Sequence, residues 1–286
     1  MSNRIPKRAT SAIRQMKIQR VNAAGLRVAR ADSLAVEAPL EIRIRGRGVA
    51  VTMRTPGHDR ELAAGFLVTE QIIRQHRDLK DIAVCRSSLE PGNTLDVFLA
   101  AGVEVDFARL TRHVYAASSC GLCGKATIDA VRQNFPPVES SAKISVATLL
   151  RLPKRMHRAQ AAFAQTGGLH AAAVFDLRGQ LVALREDIGR HNAVDKVIGH
   201  GFLAENFPFS AHVLLVSGRA SLEIMQKSLA ARIPIVCAVS APSSLAVEFA
   251  KASGQTLVGF LRDKTLNVYA GGERIRSDRH FARKSK

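Results

Sequence analysis

The 286-residue chain contains no tryptophan and only two tyrosines. Aromatic rings on which bases stack are a usual means of holding nucleic acid, so this shortage argues against a nucleic-acid-binding role. The sequence also lacks an apolar run of the roughly eighteen residues that a membrane-spanning helix needs, so no membrane association is expected. The N-terminus has no apolar segment of the secretory type, and we expect a protein of the cytoplasm.

Acidic residues are missing from the N-terminal end and scarce at the C-terminal end. Residues 1–30 hold eight Lys/Arg and no Asp/Glu, and the two ends together supply twelve of the eighteen net positive charges. Charge blocks of this kind are typical of solvated tails, so we predict basic tails at residues 1–30, expected to be disordered, and at 273–286. An Arg-rich, acid-free N-terminus also resembles an organelle transit peptide, which stays as an alternative.

Cysteine is too scarce for a disulfide framework, since the chain has four: Cys85, Cys120, Cys123 and Cys237. Cys237 lies in the apolar run IPIVCAV, which predicts a packed strand residue. Cys120 and Cys123 lie in SSCGLCGK, within a run of small residues that predicts an exposed, mobile loop over residues 115–125. In a reducing compartment, such a close pair indicates chemistry or metal binding.

The N-terminal part of the chain predicts a small α+β domain over residues 31–114. Residues 38–55 alternate polar and apolar side chains about a glycine-containing turn, which predicts a β-hairpin. Residues 56–73 have apolar side chains at helical spacing, and short strands are predicted at 82–86 and 94–100.

Beyond residue 125 the pattern predicts a larger domain, over residues 126–272. Buried-strand patterns alternate with helical ones, for example HVLLV before LEIMQKSLAARI and IPIVCAV before LAVEFAKASG. This order predicts an α/β fold with a partly parallel sheet.

Two of these predicted strands end in similar serine-rich turns, at residues 217–221 and 240–244. Each turn precedes a predicted helix, and ligands of open α/β sheets collect beyond the carboxyl ends of the strands. Helix N-termini favour phosphate, and Arg219 can add a bidentate contact to an anion. Ser217 and its neighbours therefore predict a site for a phosphate-bearing ligand, with plain N-capping as the alternative.

The segment EDIGRHNAVDKVIG crowds charged and polar side chains at the start of a predicted helix. It is compatible with a ligand wall and equally with a solvated helix face. His170, after Gly167 and Gly168, is interpreted as an ordinary histidine at a strand end.

The spacing of Cys120 and Cys123 leaves three kinds of chemistry open. A zinc site inside one chain needs three or four ligands, and this motif supplies two. A thioredoxin-type redox pair would follow a strand, which TRHVYAASS does not resemble. A thiolate favoured by nearby Lys125 can instead accept sulfur as a persulfide and deliver it elsewhere, the second thiol assisting release.

With these pieces in place, the chain resembles the formate dehydrogenase accessory sulfurtransferases, the FdhD family, from about residue 38 to 272. The resemblance rests on motifs in one order: EAPLEI, ELAAGFLVTEQII, SSCGLCGK, TGGLHAAA, EDIGRHNAVDKVIG, SGRAS, SAPSSLA and GFLRDKTLNVY. It implies a sulfurtransferase that takes sulfur from a cysteine desulfurase as a persulfide. It also implies that this sulfur passes to the molybdenum cofactor, as bis-molybdopterin guanine dinucleotide, before the cofactor is inserted into formate dehydrogenase.

The resemblance also implies roles for individual residues. Cys120 matches the persulfide-bearing cysteine and Cys123 its auxiliary partner. The segment that contacts the guanine dinucleotide is matched by Phe260, Leu261, Arg262, Asp263, Lys264 and Thr265. The dinucleotide would be bound as substrate, and no metal of the protein's own is expected.

For the fold, the resemblance implies a cytidine-deaminase-like, three-layer α/β/α C-terminal domain, and homodimers. Zinc deaminases place a catalytic Glu two residues after a His and a CxxC later in the chain. Here Ala172 stands two residues after His170 and the CxxC comes earlier, which argues against deamination. Two hypotheses stay open beside sulfur transfer: a cofactor-binding chaperone that does not use its thiols, and a dimer bridged by zinc through two CxxC motifs.

Overall fold

A computed structural model describes residues 11–85, 88, 92–107, 110 and 135–277 of this α/β protein. The strands are β1 (Ile13–Val21), β2 (Arg27–Ala35), β3 (Ala38–Ile44), β4 (Arg47–Arg54), β5 (Leu79–Val84), β6 (Thr94–Leu99), β7 (Ile144–Ser145), β8 (His170–Asp176), β9 (Leu181–Asp187), β10 (His212–Val216), β11 (Ile235–Ala238), β12 (Thr256–Gly259), β13 (Asn267–Ala270) and β14 (Ile275–Arg276). The helices described are α1 (Asp59–Thr69), α2 (Val146–Ala159), α3 (Ala161–Thr166), α4 (Arg190–Leu203), α5 (Leu222–Ala230) and α6 (Ser244–Ala252).

The N-terminal sheet contains four strands in the order β4-β3-β6-β5. The predicted hairpin is confirmed as antiparallel β3 and β4, while β6 pairs parallel to β3. Along β3 buried side chains alternate with more exposed ones, as expected for a sheet that is packed on one face only. The predicted helix is confirmed as α1, and the two predicted short strands as β5 and β6.

The C-terminal sheet contains six strands in the order β13-β12-β11-β10-β8-β9. Strands β10, β11 and β12 are parallel, whereas β8, β9 and β13 run antiparallel to their neighbours. Helices α4, α5 and α6 pack on one face, and α2 packs on the other through Leu149, Leu152 and Met156. The three-layer α/β/α arrangement is therefore confirmed, and cover on both faces explains the apolar strand sequences.

Helices α1 and α4 join the two sheets by an unusually close crossing. A Cβ atom at Gly65 would overlap the backbone of Asp195, and one at Gly199 would overlap the carbonyl oxygen of Glu61. Glycine at both positions allows the two backbones to touch. As a result, one core runs continuously from the N-terminal sheet through both helices to the C-terminal sheet.

Both predicted tails contain ordered structure within the described residues, so these two predictions are corrected. Residues 13–35 form an antiparallel ribbon of β1 and β2, because backbone pairing leaves the basic side chains in solvent. At the other end, Ile275 pairs with Ile144, and the Arg274 side chain is buried and donates to Thr256 Oγ1 at 3.4 Å. The density of charged residues along the sequence was a poor predictor of disorder here, because charged side chains are compatible with a strand whose backbone is paired.

Candidate functional site

A crevice of about 740 Å³ opens at the carboxyl ends of the parallel strands, where the sequence predicts a ligand. Ser217 follows β10, Val239 follows β11 and Asp263 lies beyond β12; all three line the crevice. The opposite wall comes from α2, α3 and the segment leading into β8. Its lining residues are Pro153, Lys154, Met156, His157, Gln160, Phe163, Gly167, Gly168, Leu169 and His170.

The two serine turns lie side by side, as predicted. The Ala220 N–H donates to the Ala241 carbonyl at 3.2 Å, and the Ser243 N–H donates to the Ala220 carbonyl at 2.9 Å. Ser243 is an N-cap, accepting from the Ala246 N–H at 3.2 Å. Ser217 Oγ accepts from the Ala171 N–H at 2.9 Å, so this hydroxyl ties β8 to β10.

The loop after β12 places most of the predicted nucleotide-contacting segment in solvent. Phe260 has a positive φ of 49°, a costly conformation for a bulky residue that is typically found at functional sites. Its N–H donates to the Ser240 carbonyl at 3.1 Å, which fixes the loop to the neighbouring turn. Residues 262–265 are exposed, and the Arg262 N–H donates to the Thr265 carbonyl at 2.9 Å.

Leu261 differs from the rest of that segment. Its side chain is 0% exposed and packs in the core between the sheet and α2, and its N–H donates to the Ala238 carbonyl at 3.0 Å. The Leu261 side chain is therefore not available on the surface, and the part of this residue in nucleotide binding stays a prediction. Leu261 anchors the loop, while residues 262–265 stay exposed.

The wall formed by α2 and α3 was missed by sequence reasoning. Lys154 and His157 lie three residues apart, so they share a helix face, and Phe163 contacts His157 edge-on with ring centroids 6.4 Å apart. The sequence did offer a signal for this wall, namely a lysine, a histidine and an aromatic residue close together. Many solvated helices carry the same residues, so the signal was not specific. Only the position of α2 beside the strand ends gives them significance.

Glu186 fixes this wall from the strand side. Its carboxylate accepts the Ala162 N–H at 3.0 Å and the Phe163 N–H at 2.7 Å, which satisfies the free donors at the start of α3. Gly167 ends the helix in a left-handed conformation. The Glu186 carboxylate of the EDIGRHN segment thus caps a helix that lines the crevice.

A second polar group adjoins the crevice at His170. It contains His170, Arg190 and His191, and Gly218 lies against the His170 ring. Burial and the charge of Arg190 lower the pKa of His170, and burial lowers the pKa of His191 to about 4 although Glu223 opposes the shift. Both imidazoles are therefore neutral at pH 7 and can exchange hydrogen bonds, while Arg190 supplies positive charge.

The rest of EDIGRHNAVDKVIG joins the two halves of the molecule, a role that the sequence did not suggest. Buried Asp187 pairs with Lys196 at 2.7 Å and accepts the Thr55 N–H at 3.1 Å, and Lys196 donates to the Thr55 carbonyl at 2.8 Å. Asn192 donates to the Met53 carbonyl at 2.8 Å. These side chains are structural, and neither predicted alternative describes them.

The predicted CxxC loop, with Cys120 and Cys123, lies outside the described residues. Cys237 is fully buried in β11 as predicted, and burial raises the pKa of its thiol, which makes it a poor nucleophile. Within the described ranges, no group of three or more His, Cys, Asp or Glu has metal-site geometry, and no helix is long and apolar enough to cross a membrane.

The arrangement suits an anionic ligand that carries a planar ring. The exposed side chains of Arg219, Arg262 and Lys264 lie on the loops that follow β10 and β12. These loops are at the carboxyl ends of the strands, on the side of the sheet where the crevice opens. Arginine forks match phosphate, and the half-exposed Phe260 ring offers a surface for stacking. Acidic Asp263 can accept from a donor edge of the ring.

Comparison with known proteins shows the family to which the chain belongs. Residues 35–276 match the model of the FdhD/NarQ family. The chain is 52% identical to the sulfur carrier protein FdhD of Mycolicibacterium paratuberculosis, over 88% of this chain and 95% of that protein. It is 51% identical to the protein of the same name from Streptomyces coelicolor, over 86% of this chain and 90% of that protein.

A solved structure supports the fold. The crystal structure of a formate dehydrogenase accessory protein from Desulfotalea psychrophila superposes with a TM-score of 0.74 at 24% sequence identity. The superposition covers 93% of this chain and all of that chain. At this level of identity the likeness concerns the fold alone.

Proposed function

Because the chain belongs to the FdhD/NarQ family, we propose that it is a sulfur carrier required for the maturation of formate dehydrogenase. Its sulfur comes from a cysteine desulfurase and goes to the molybdenum cofactor in its bis-molybdopterin guanine dinucleotide form. The observation that supports the cofactor as substrate is the crevice beyond the parallel strands, which is lined by Asp263 of the exposed loop that also carries Arg262 and Lys264. This is where a guanine nucleotide with its phosphates would be bound.

In the proposed loading step, the Cys120 thiolate attacks the terminal sulfur of the desulfurase persulfide. A new S–S bond forms on Cys120, the old S–S bond breaks, and the desulfurase leaves as a thiolate, so no electrons enter or leave. Attack by the Cys123 thiolate on the Cys120 sulfur would then form a disulfide and release hydrosulfide. Each step conserves atoms and charge once the released hydrosulfide is counted, and an external dithiol reductant must reduce the Cys120–Cys123 disulfide before the next loading.

The test of loading is mass spectrometry after incubation with desulfurase and cysteine. We expect one added sulfur atom on the Cys120 peptide of the native protein and of the Cys123→Ala variant, and none in Cys120→Ala. The buried thiol of Cys237 supplies a matched control, since Cys237→Ala should load normally. An unmodified Cys120 beside an active desulfurase would refute the proposal.

Binding in the crevice is tested with GDP and calorimetry. Arg262→Gln/Lys264→Gln should weaken binding about tenfold, because two charge-assisted contacts are lost. Lys251→Gln/Arg178→Gln removes two exposed cations from the opposite edge of the sheet and should change the affinity by less than about twofold. Equal losses in both variants would show that only net charge matters.

Two competing functions give different results in the same system. A chaperone that does not use its thiols predicts that Cys120→Ala restores full formate dehydrogenase activity in cells lacking the native protein. A zinc-bridged dimer predicts one zinc per two chains in the purified protein. For the proposed carrier we expect a homodimer in the cytoplasm, free of stoichiometric zinc, which sedimentation, cell fractionation and metal analysis will check.

A further inference from the structure

The β1–β2 ribbon leaves apolar side chains in solvent. Met16 is 48% exposed and Val28 53% exposed, and Val21, Leu26 and Leu34 are exposed as well. The ribbon forms a two-stranded sheet of its own, and a two-stranded ribbon is marginally stable in water unless something packs on it. Exposed aliphatic groups concentrated on one projecting element indicate an interaction surface.

The strand register separates the ribbon into two faces. Cross-strand pairs Arg14–Leu34, Met16–Asp32, Ile18–Arg30 and Arg20–Val28 share one face, here called the outer face. Ala35 lies on the other face, whose base contacts the body, since a Cβ on Gly168 would lie 3.6 Å from that of Ala35. The outer face thus interleaves four apolar side chains with three arginines and one aspartate, and apolar groups mixed with arginine are typical of protein interfaces.

The charge of the ribbon selects the chemistry of its partner. Residues 11–35 carry five Lys/Arg and one acid, Asp32. A second copy of the chain would bring the same arginines together, which disfavours self-association through this face. Nucleic acid is also disfavoured, because the ribbon has no aromatic residue and its exposed aliphatic groups offer nothing to a phosphate backbone. An acidic protein surface with an apolar patch fits best.

The position of the ribbon indicates which protein that is. Gly168 lines the crevice and contacts the base of β2, and Phe163 of the neighbouring helix lines it too. A protein docked on the ribbon would therefore stand at the mouth of the crevice. Nine residues per strand give a face of only about 300 Å², well under the roughly 800 Å² of a stable interface, so the contact is brief.

We propose that the outer face of the β1–β2 ribbon docks an acidic surface of the apoenzyme that receives the ligand held in the crevice. This proposal rests on the proposed function, under which that apoenzyme is formate dehydrogenase. The ribbon would hold the acceptor beside the crevice long enough for transfer. Its arginines would accelerate the encounter and make it sensitive to salt.

The test measures binding of the full chain to immobilised apo formate dehydrogenase by interferometry. Arg14→Gln/Arg20→Gln on the outer face should weaken binding at least about fivefold. Lys17→Gln/Arg27→Gln, with the same charge loss on the other face, should weaken it about twofold or less. Met16→Ser/Leu34→Ser should also weaken binding at least about threefold while leaving its salt dependence unchanged. Circular dichroism verifies that each variant is folded.

Other results would overturn the proposal. Equal effects of the two charge variants would show a non-specific field, and unchanged binding in all variants would exclude the ribbon. Weakened desulfurase binding, a lost dimer or weakened oligonucleotide binding, with apoenzyme binding intact, would assign the face to a different occupant. Sulfur loading of Cys120 and GDP binding are measured on the same variants; their absence in the native protein would refute the proposed function separately.

Discussion

At the residue scale, a chain of polar contacts runs from the edge of the site into the joint between the two halves. His191 lies 3.3 Å from Glu223, Glu223 lies 3.9 Å from Lys227, and Lys227 pairs with Asp195 at 2.8 Å. Thr69 of α1 donates to Asp195 at 3.0 Å. The position of His191 beside the crevice and the packing of α1 against α4 therefore depend on the same buried charged side chains.

The low pKa of His191 predicts a loss of stability in mild acid. Burial lowers this pKa to about 4. Between pH 6.5 and pH 4 the imidazole is therefore protonated in the unfolded chain but stays neutral in the folded chain. The free energy of unfolding is therefore unaffected by this group above pH 6.5. It falls by roughly 2–4 kcal/mol as the pH drops to 4. Urea unfolding of His191→Gln should show a flatter decline between these values, and exposed His76→Gln should follow the native curve. An unchanged slope in His191→Gln would contradict this assignment.

Lys227 neutralises a carboxylate that has no access to water. Burial would lower the pKa of Lys227, but the carboxylates of Asp195 and Glu223 outweigh it and hold the pKa above its usual value. Lys227→Met strands the Asp195 charge and should reduce the free energy of unfolding by about 3–5 kcal/mol. Adding Asp195→Leu should recover part of that loss, as denaturant titrations will show. An unchanged free energy of unfolding in Lys227→Met would show that the Asp195 carboxyl is not ionised in the folded protein.

At the element scale, the crossing of α1 and α4 depends on the absence of two side chains. Gly65 and Gly199 bring the helix backbones into contact, and bulkier residues would separate the two sheets. Helix propensity alone favours alanine at both positions, so packing has overridden local preference.

Gly199→Ala should therefore be strongly destabilising. The added Cβ meets the carbonyl oxygen of Glu61, a backbone atom that cannot rotate away, and we expect a loss of about 3 kcal/mol or more. Gly272→Ala is the matched control, because its Cβ would lie 3.6 Å from Val268 in ordinary contact. Thermal unfolding compares the two, and a near-native melting temperature for Gly199→Ala would show that the helices can move apart.

At the scale of the whole molecule, the two sheets share one core and should unfold together. The chain has no tryptophan, so single probes can be introduced at exposed positions: Phe98→Trp in β6 and Leu245→Trp in α6. Urea transitions followed by the two fluorescence signals should have the same midpoint, since neither half keeps its packing alone. Separate midpoints, with circular dichroism following both, would show independent folding of the halves.

Pattern along the chain was sufficient for the fold class, the strand and helix order from residue 38 onward and the adjacency of the two serine turns. These features follow from apolar periodicity and from the rule that parallel strands end at one edge. The same reasoning located Ser217, and the resemblance located the loop at residues 260–265. The chemistry of Cys120 and Cys123 also comes from the sequence and its resemblance alone, and it stays a prediction.

The three-dimensional packing alone decides which side chains line the crevice and which are buried elsewhere. Leu261 is buried while its neighbours are exposed, and Asp187 and Lys196 hold the halves together instead of lining the site. Lys154 and Phe163 become part of the wall because α2 and α3 are packed beside the strand ends. Local pattern sets what an element is, but long-range packing sets which side chains meet, and a pattern along one chain does not contain those contacts.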